Sequence, residues 1–190
     1  MDPLSRLFGS AARLKLLRLF LFNEETMFSI DEAARRSKVS KETVRKELPV
    51  LSAAGVVRKR SGKGPSVYQA DKRFSHYNAL VTFLRTSAKL DDGNVLSGLR
   101  KAGTLRLVAL SGLFTGVPES KVDILVVGDR LSEGTLAKTV HALEAELGRE
   151  LRYASFATED FKYRVGVYDR LVRDVFDYPH RLLFDKLSPP

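Results

Sequence analysis

Ser29-Ile30-Asp31-Glu32-Ala33-Ala34 opens the stretch that decides the fold. A short turn ending at Ser40 follows, then Lys41 through Ala54, then Gly55. Val56-Val57-Arg58-Lys59-Arg60, a Gly62-Lys63-Gly64-Pro65 tip and Ser66-Val67-Tyr68 complete it. Ser29 with Glu32 three residues on forms a capping box, in which each end satisfies a free amide of the other. Ile30, Ala33 and Ala34 supply an inward face, and Val39 plugs the turn. Ser40 is the next N-cap, because its short hydroxyl can accept from the first helical amides. Val44, Leu48 and Leu51 then recur at helical spacing and should face the core. Gly55 stops this helix, since glycine tolerates the positive φ that ends one. Two short helices, a tight turn and a basic hairpin are predicted in that order.

The side opposite Val44 and Leu48 presents Lys41, Glu42, Arg45 and Lys46. Arg and Lys on the first turns of such a helix can read guanine edges or bind phosphates. Pro49 lacks the backbone donor and crowds the preceding turn, so a kink is expected between Arg45 and Pro49. On the hairpin, Arg58, Lys59, Arg60 and Lys63 would lie beside a sugar-phosphate backbone, where contacts position a protein without reading sequence. The pattern Ser-Ile-x-Glu-Ala-Ala, Val-Ser-x-x-Thr-Val-Arg, Leu-x-x-Leu-x-x-x-Gly-Val-Val and a basic hairpin resembles the winged-helix transcriptional regulators of bacteria and archaea. The resemblance covers about residues 10–72. It implies a partner in double-stranded DNA, contacted through Ser40, Lys41, Thr43, Arg45, Lys46, Arg58, Lys59, Arg60 and Lys63. It also implies a homodimer, because such regulators commonly read two half-sites. The competing use of the same fold is protein contact.

Charge placement supports the first use. The 190 residues carry a net charge of +9, and the excess sits in one half. Residues 1–90 hold 18 Lys/Arg against 8 Asp/Glu, whereas residues 91–190 hold 14 against 15. A polyanion partner for the first half alone fits that asymmetry; a solvated basic face is the plainer explanation. The chain has no cysteine, which excludes disulfides and thiolate metal or redox sites. His76, His141 and His180 are scattered and show no metal-ligand spacing. The most apolar early run, Leu14 to Phe22, contains Lys15 and Arg18 and is too short to cross a bilayer. No small-residue cleavage site follows it, so the expected location is cytoplasmic, with no membrane partner.

Outward from the basic stretch, Leu7, Leu14, Leu17 and Leu21 predict an amphipathic helix from about Ser10 to Phe22, with Lys15 and Arg18 between the apolar positions. On the other side, Phe74 to Ser87 carries Tyr77, Leu80, Val81 and Leu84 at helical spacing and reads as a linker helix suited to dimer packing. Asp91-Asp92-Gly93 marks a boundary, and a short helix is expected at Val95 to Lys101. Strands are predicted at Leu105–Leu110, Val122–Val127 and Glu150–Phe156. Helices are predicted at Ser132–Leu147 and from Thr158, and Tyr168–Phe176 and Arg181–Leu187 are the last pieces. Strands and helices alternate, so a small mixed sheet with packed helices should form.

The order strand, Gly-rich turn, strand beginning with Asp, helix, strand resembles the minimal nucleotidyltransferase fold over about residues 103–187. That family pairs Gly-Ser with Asp-x-Asp, because carboxylates two apart share a strand face and clamp two divalent ions around a triphosphate. Gly112, Gly116 and Asp123 match the frame and are candidates for cofactor contact. Leu113 replaces the serine and Leu125 the second acid, and Asp129 lies past the strand end. Arg152, Tyr153 and Ser155 on the third strand offer no central carboxylate. The bland reading of Asp123 is a strand-start acid bonded to backbone.

The resulting expectation is an α+β chain. Residues 1–72 form a winged helix-turn-helix, 73–102 linker helices, and 103–190 a small mixed-sheet, non-catalytic nucleotidyltransferase-like domain. Neither metal nor resident cofactor is expected, and a nucleotide or small-molecule effector is left open. The leading function is a sequence-specific transcriptional regulator; the alternative is a metal-dependent nucleotidyltransferase, or nucleotide-sensing module, targeted by its winged helix.

Overall fold

A computed structural model describes residues 3–60, 64–87, 90–117 and 119–187. The chain divides into two units, residues 1–90 with 141–149, and residues 91–140 with 150–190.

In the first unit, α1 (Pro3–Leu7) and α2 (Ala11–Phe22) precede a short strand, β1 (Phe28–Ser29). The helices α3 (Ile30–Ser37) and α4 (Lys41–Ala53) follow, then the hairpin β2 (Val57–Arg60) and β3 (Val67–Ala70), then α5 (Tyr77–Ser87). Ser29 forms the capping box, accepting from the Glu32 amide at 3.2 Å while the Glu32 carboxylate accepts from the Ser29 amide at 2.8 Å. Lys38 turns left-handed at φ 51° to end α3, and the Val39 amide donates to the Ala34 carbonyl. Gly55, at φ 75°, turns the chain out of α4 into β2. The three strands pair antiparallel in the order β1-β3-β2, with Arg60 opposite Val67 at the tip end. Ala33, Val44, Leu48, Leu51 and Val57 pack with the leucines of α2, and α5 adds Tyr77 and Leu84 to the same core. Each large apolar side chain so buried contributes about 1.5–3 kcal/mol.

The helix α2 departs from its predicted two-sided character. Leu14, Leu16, Leu17, Leu19, Phe20 and Leu21 are all buried, and Arg18 is 4% exposed. The cause is residues 141–149. The Arg18 guanidinium donates to the Glu146 carbonyl at 3.1 Å, Lys15 pairs with the Glu146 carboxylate at 2.7 Å, and the Asn23 amide donates to the Gly148 carbonyl at 2.7 Å. Gly148 sits so close to α2 that a Cβ there would lie 2.5 Å from the Arg18 carbonyl carbon. Leu7, expected on the apolar face, is 71% exposed.

The second unit contains α6 (Asp92–Leu99), β4 (Thr104–Leu110), β5 (Ile124–Asp129), β6 (Tyr153–Phe156), α8 (Thr158–Gly166), α9 (Arg170–Asp177) and β7 (Arg181–Asp185). The helix α7 (Glu133–Leu147) runs between β5 and β6. The sheet order is β6-β5-β4-β7, in which β5 and β6 are parallel and the other pairs antiparallel. A parallel pair cannot be joined by a tight turn, so a helix must lie between β5 and β6. Leu107, Ala109, Leu125 and Val127 pack against Phe161, Val172 and Val175. Val108, Leu110, Ile124 and Val126 alternate with them and are equally buried. Both faces are covered, and the strands accordingly read as near-continuous apolar runs.

Three expectations change in this unit. The second strand begins after Asp123 and includes Asp129, which accepts from Arg106 Nε at 2.8 Å and from the Thr158 hydroxyl at 2.6 Å. The third strand starts at Tyr153, leaving Arg152 just outside it. Arg181–Asp185 is an edge strand antiparallel to β4.

Candidate nucleic-acid interface

The start of α4 and the outer side of the hairpin supply this surface. Ser40 caps α4 by accepting from the Thr43 amide at 3.2 Å, and the Ser40 and Thr43 hydroxyls lie 2.8 Å apart. These two side chains fix where the helix begins and set the height of the cations that follow. Lys41 pairs with Asp31 of α3 and Lys46 with Glu42 one turn back, each at 3.0 Å. All four side chains are more than half exposed, so either ammonium exchanges its partner at little cost. Arg45 is exposed and its side chain, among the described residues, has neither hydrogen bond nor ion pair. It stands one turn beyond Lys41, on the same face.

Burial of Glu47 sharpens the charge of that face. Its carboxylate takes Arg13 Nε at 2.8 Å, and Arg13 also donates to the Phe8 carbonyl at 3.0 Å. Of the two acids in α4, only Glu42 remains on the outer side. Pro49 is exposed and α4 runs unbroken through it to Ala53, so the predicted kink does not interrupt the helix. The missing N–H leaves the Arg45 carbonyl without its helical donor, which is tolerable on a solvated face.

On the hairpin, Lys59 and Arg60 are exposed, and Lys63 lies outside the described residues. Arg58 is placed differently from its neighbours. It is half-buried, donates to Gln69 Oε1 at 3.3 Å, and lines a small recess with Glu24, Glu25, Asp71 and Lys72. Gln69 in turn donates to the Glu24 carbonyl at 3.2 Å, and the Tyr77 hydroxyl donates to the Glu24 carboxylate at 3.1 Å. Lys72 lies 3.4 Å from Glu24 and 2.5 Å from Glu25. Hydrogen bonds from the Arg73 guanidinium, at 2.7 and 3.0 Å, hold the Asp71 carboxyl down to about 2. Burial, and then the Glu24 carboxylate, push the Tyr77 hydroxyl up to about 12. The network ties the hairpin to the loop after α2. Arg58 thus braces the wing through Gln69, the residue directly across from it on β3.

Sequence reasoning passes over Arg35, exposed near the end of α3. The first helix of such a pair crosses the nucleic-acid backbone. The available signal is the Arg35-Arg36 doublet beside the turn.

The Gly112–Asp123 corner of the second unit is built the other way. Asp123 is 2% exposed. Its carboxylate accepts from the Leu113 amide at 2.8 Å, the Arg152 amide at 2.9 Å, Arg152 Nε at 3.1 Å and Arg152 Nη2 at 3.0 Å. Gly112 is left-handed at φ 50°, and a Cβ there would come within 2.3 Å of the same carboxylate. Gly116, also left-handed, is exposed with open space around it. Leu125 is fully buried in the core beneath. Among the described residues no three His, Asp or Glu side chains are arranged to hold a metal ion. No helix there is long and apolar enough to cross a membrane.

Comparison with known proteins reaches only the first of these sites. No curated protein and no solved structure matches the chain. Residues 17–66 match the family model of the DeoR-like helix-turn-helix domain, a segment that holds α3, α4 and β2, and this likeness supports a helix-turn-helix in the N-terminal part of the chain.

Proposed function

We propose that this protein is a sequence-specific, double-stranded-DNA-binding transcriptional regulator that works as a homodimer. The start of α4 enters the major groove, where Arg45 and Lys41 meet base edges and Lys46 a phosphate. The β2–β3 wing lies on the sugar-phosphate backbone through Lys59, Arg60 and Lys63. The observation that carries this reading is the disposition of α4. Its hydroxyls hold the helix start, one acid is drawn inward by Arg13, and the cations remain outside with weak partners or none.

The second unit serves as a dimerisation or sensing module related to the minimal nucleotidyltransferases, without their catalysis. Supporting this, Leu113 and Leu125 stand at the lost chemical positions and the remaining acid, Asp123, is closed by Arg152. Among the described residues, nothing in that corner favours the alternative of a metal-dependent transferase.

Titrating labelled duplex at increasing salt tests the proposal. The four cations assigned to phosphates, Lys46, Lys59, Arg60 and Lys63, should contribute about −4 per bound chain to the slope of log affinity against log salt, since each neutralised phosphate releases counterions. Absence of duplex binding at low salt would refute it. Light scattering tests the dimer, which should show twice the chain mass.

A further inference from the structure

The second unit holds a cavity of about 770 Å³ between α8, α9 and β7. That volume is within the range of about 300–1,000 Å³ typical of small-molecule sites. Leu107 from the sheet, Phe161 from α8 and Val172 from α9 form its floor, each at most 7% exposed. The Phe161 and Phe176 rings stand 6.2 Å apart, and the His180 ring meets Phe176 edge-on at 5.2 Å. Tyr168, 77% exposed and left-handed at φ 55°, and Leu182, 45% exposed, stand at the mouth.

The charges of the wall decide what can enter. Arg164 is held at 3.1 Å by both Asp160 and Asp169, and Arg173 at 3.1 Å by Asp177. Asp169 is engaged further, accepting from the Leu171 and Val172 amides that open α9. Asp185 accepts from the Leu187 amide at 2.8 Å. Two guanidiniums therefore face three carboxylates, and each guanidinium already has its counterion. Even where the exposed Arg173–Asp177 pair exchanges partners, three lining carboxylates against two guanidiniums leave a phosphate or carboxylate ligand without net attraction. An uncharged ring meets the opposite situation, with aromatic faces to stack on and a dry floor. His180 supplies a polar handle. His180 Nδ1 lies 3.0 Å from the Tyr178 carbonyl, an acceptor only, so Nδ1 carries the hydrogen and Nε2 is left to accept from a ligand hydroxyl or N–H.

We infer that this cavity is a binding site for an uncharged, ring-bearing small molecule, and that it is not a nucleotide site. The inference stands apart from the DNA-binding reading, because it uses only residues of the second unit.

Two matched fluorescent probes test it on the full chain: N-phenylnaphthylamine, which is neutral, and its sulfonated counterpart, anilinonaphthalene sulfonate. The neutral probe should bind saturably at one per chain, and the sulfonate about tenfold more weakly or worse, a difference of about 1.4 kcal/mol. Phe176→Ala should weaken the neutral probe about tenfold. Because that change could disturb packing, Tyr168→Gly is the second variant. Glycine suits the left-handed backbone there, so the thermal transition should hold while the probe weakens. Non-saturable binding, equal affinity for both probes, or undiminished binding in both variants would each overturn the site. So would a second copy of the chain that covers this face and excludes the probe.

Discussion

Two corners of the chain carry motif-like clusters of small polar and charged residues, and they dispose of their charge in opposite directions. At the start of α4, Ser40 and Thr43 satisfy the helix end between themselves and Arg13 takes Glu47 inward, so Lys41, Arg45 and Lys46 remain available to a partner. At the Gly112 turn, Arg152 folds onto Asp123 and two backbone amides complete the shell. The first arrangement keeps its electrostatic capacity for a ligand; the second spends it on holding strand ends together. Counting charged residues near a glycine or a helix end does not separate these cases. The separation comes from following each charge to its partner and asking whether water or protein surrounds the pair.

Breaking the outward-facing corner should have the largest effect. Replacing Lys41, Arg45 and Lys46 together by alanine is expected to weaken duplex affinity about hundredfold or more, since a base contact alone is worth about 1–3 kcal/mol. The salt slope should shrink by only about 1 per chain, because Lys46 alone of the three is assigned to a phosphate, and the melting temperature should hold, because exposed pairs add little stability. Fluorescence anisotropy and a thermal melt read both outcomes. A lower melting temperature with unchanged affinity would invert the comparison.

Breaking the inward-facing corner should do the reverse. Asp123→Ala strips four donors of their acceptor, at a cost of about 2 kcal/mol or more after allowing for the half-exposed Arg152. Urea denaturation should show the loss, and DNA affinity measured below the transition should stay within about twofold, a difference of about 0.4 kcal/mol. Ser29→Ala comes next, removing the capping box of α3 for about 1 kcal/mol.

The smallest expected effects come from the network that braces the wing. Asp71 has its carboxyl lowered from 3.8 to about 2 by Arg73. A lowered acid favours the folded state above its unfolded value, so this contribution should fade as pH falls from about 4 towards 2. Tyr77 is shifted up from 10.0 to about 12. The folded state favours its protonated hydroxyl, so that contribution is intact below pH 10 and is lost as pH rises through 12. Ultraviolet titration should show a tyrosine ionising at about pH 12, and Tyr77→Phe should remove that step.

Much of the first unit was legible because its signals are local. The Ser29–Glu32 box, the Ser40 cap, the Val44-Leu48-Leu51 stripe and Gly55 each act within one or two turns, and each is found where the spacing puts it. The burial of Arg18 was not legible, because its cover is supplied by Glu146, more than a hundred residues away. Arg58 shows the same limit: only the pairing of β2 with β3 reveals that it faces Gln69 while Lys59 faces solvent. In the second unit the strand positions followed from apolar runs, but the grip of Arg152 on Asp123 needs the register of β5 against β6, which composition does not encode. The cavity at α8 and α9 was equally hidden, because its walls come from four separate elements and the loops beside them.

The outward-facing corner is proposed to read DNA sequence. Selection of bound duplexes from a random pool by the intact chain tests it most directly. An inverted repeat with half-sites about one helical turn apart should be enriched, and preference at a guanine position should be lost when Arg45 is replaced by alanine. A pool that shows no enrichment, or is retained equally by the Lys41, Arg45 and Lys46 triple variant, would contradict it.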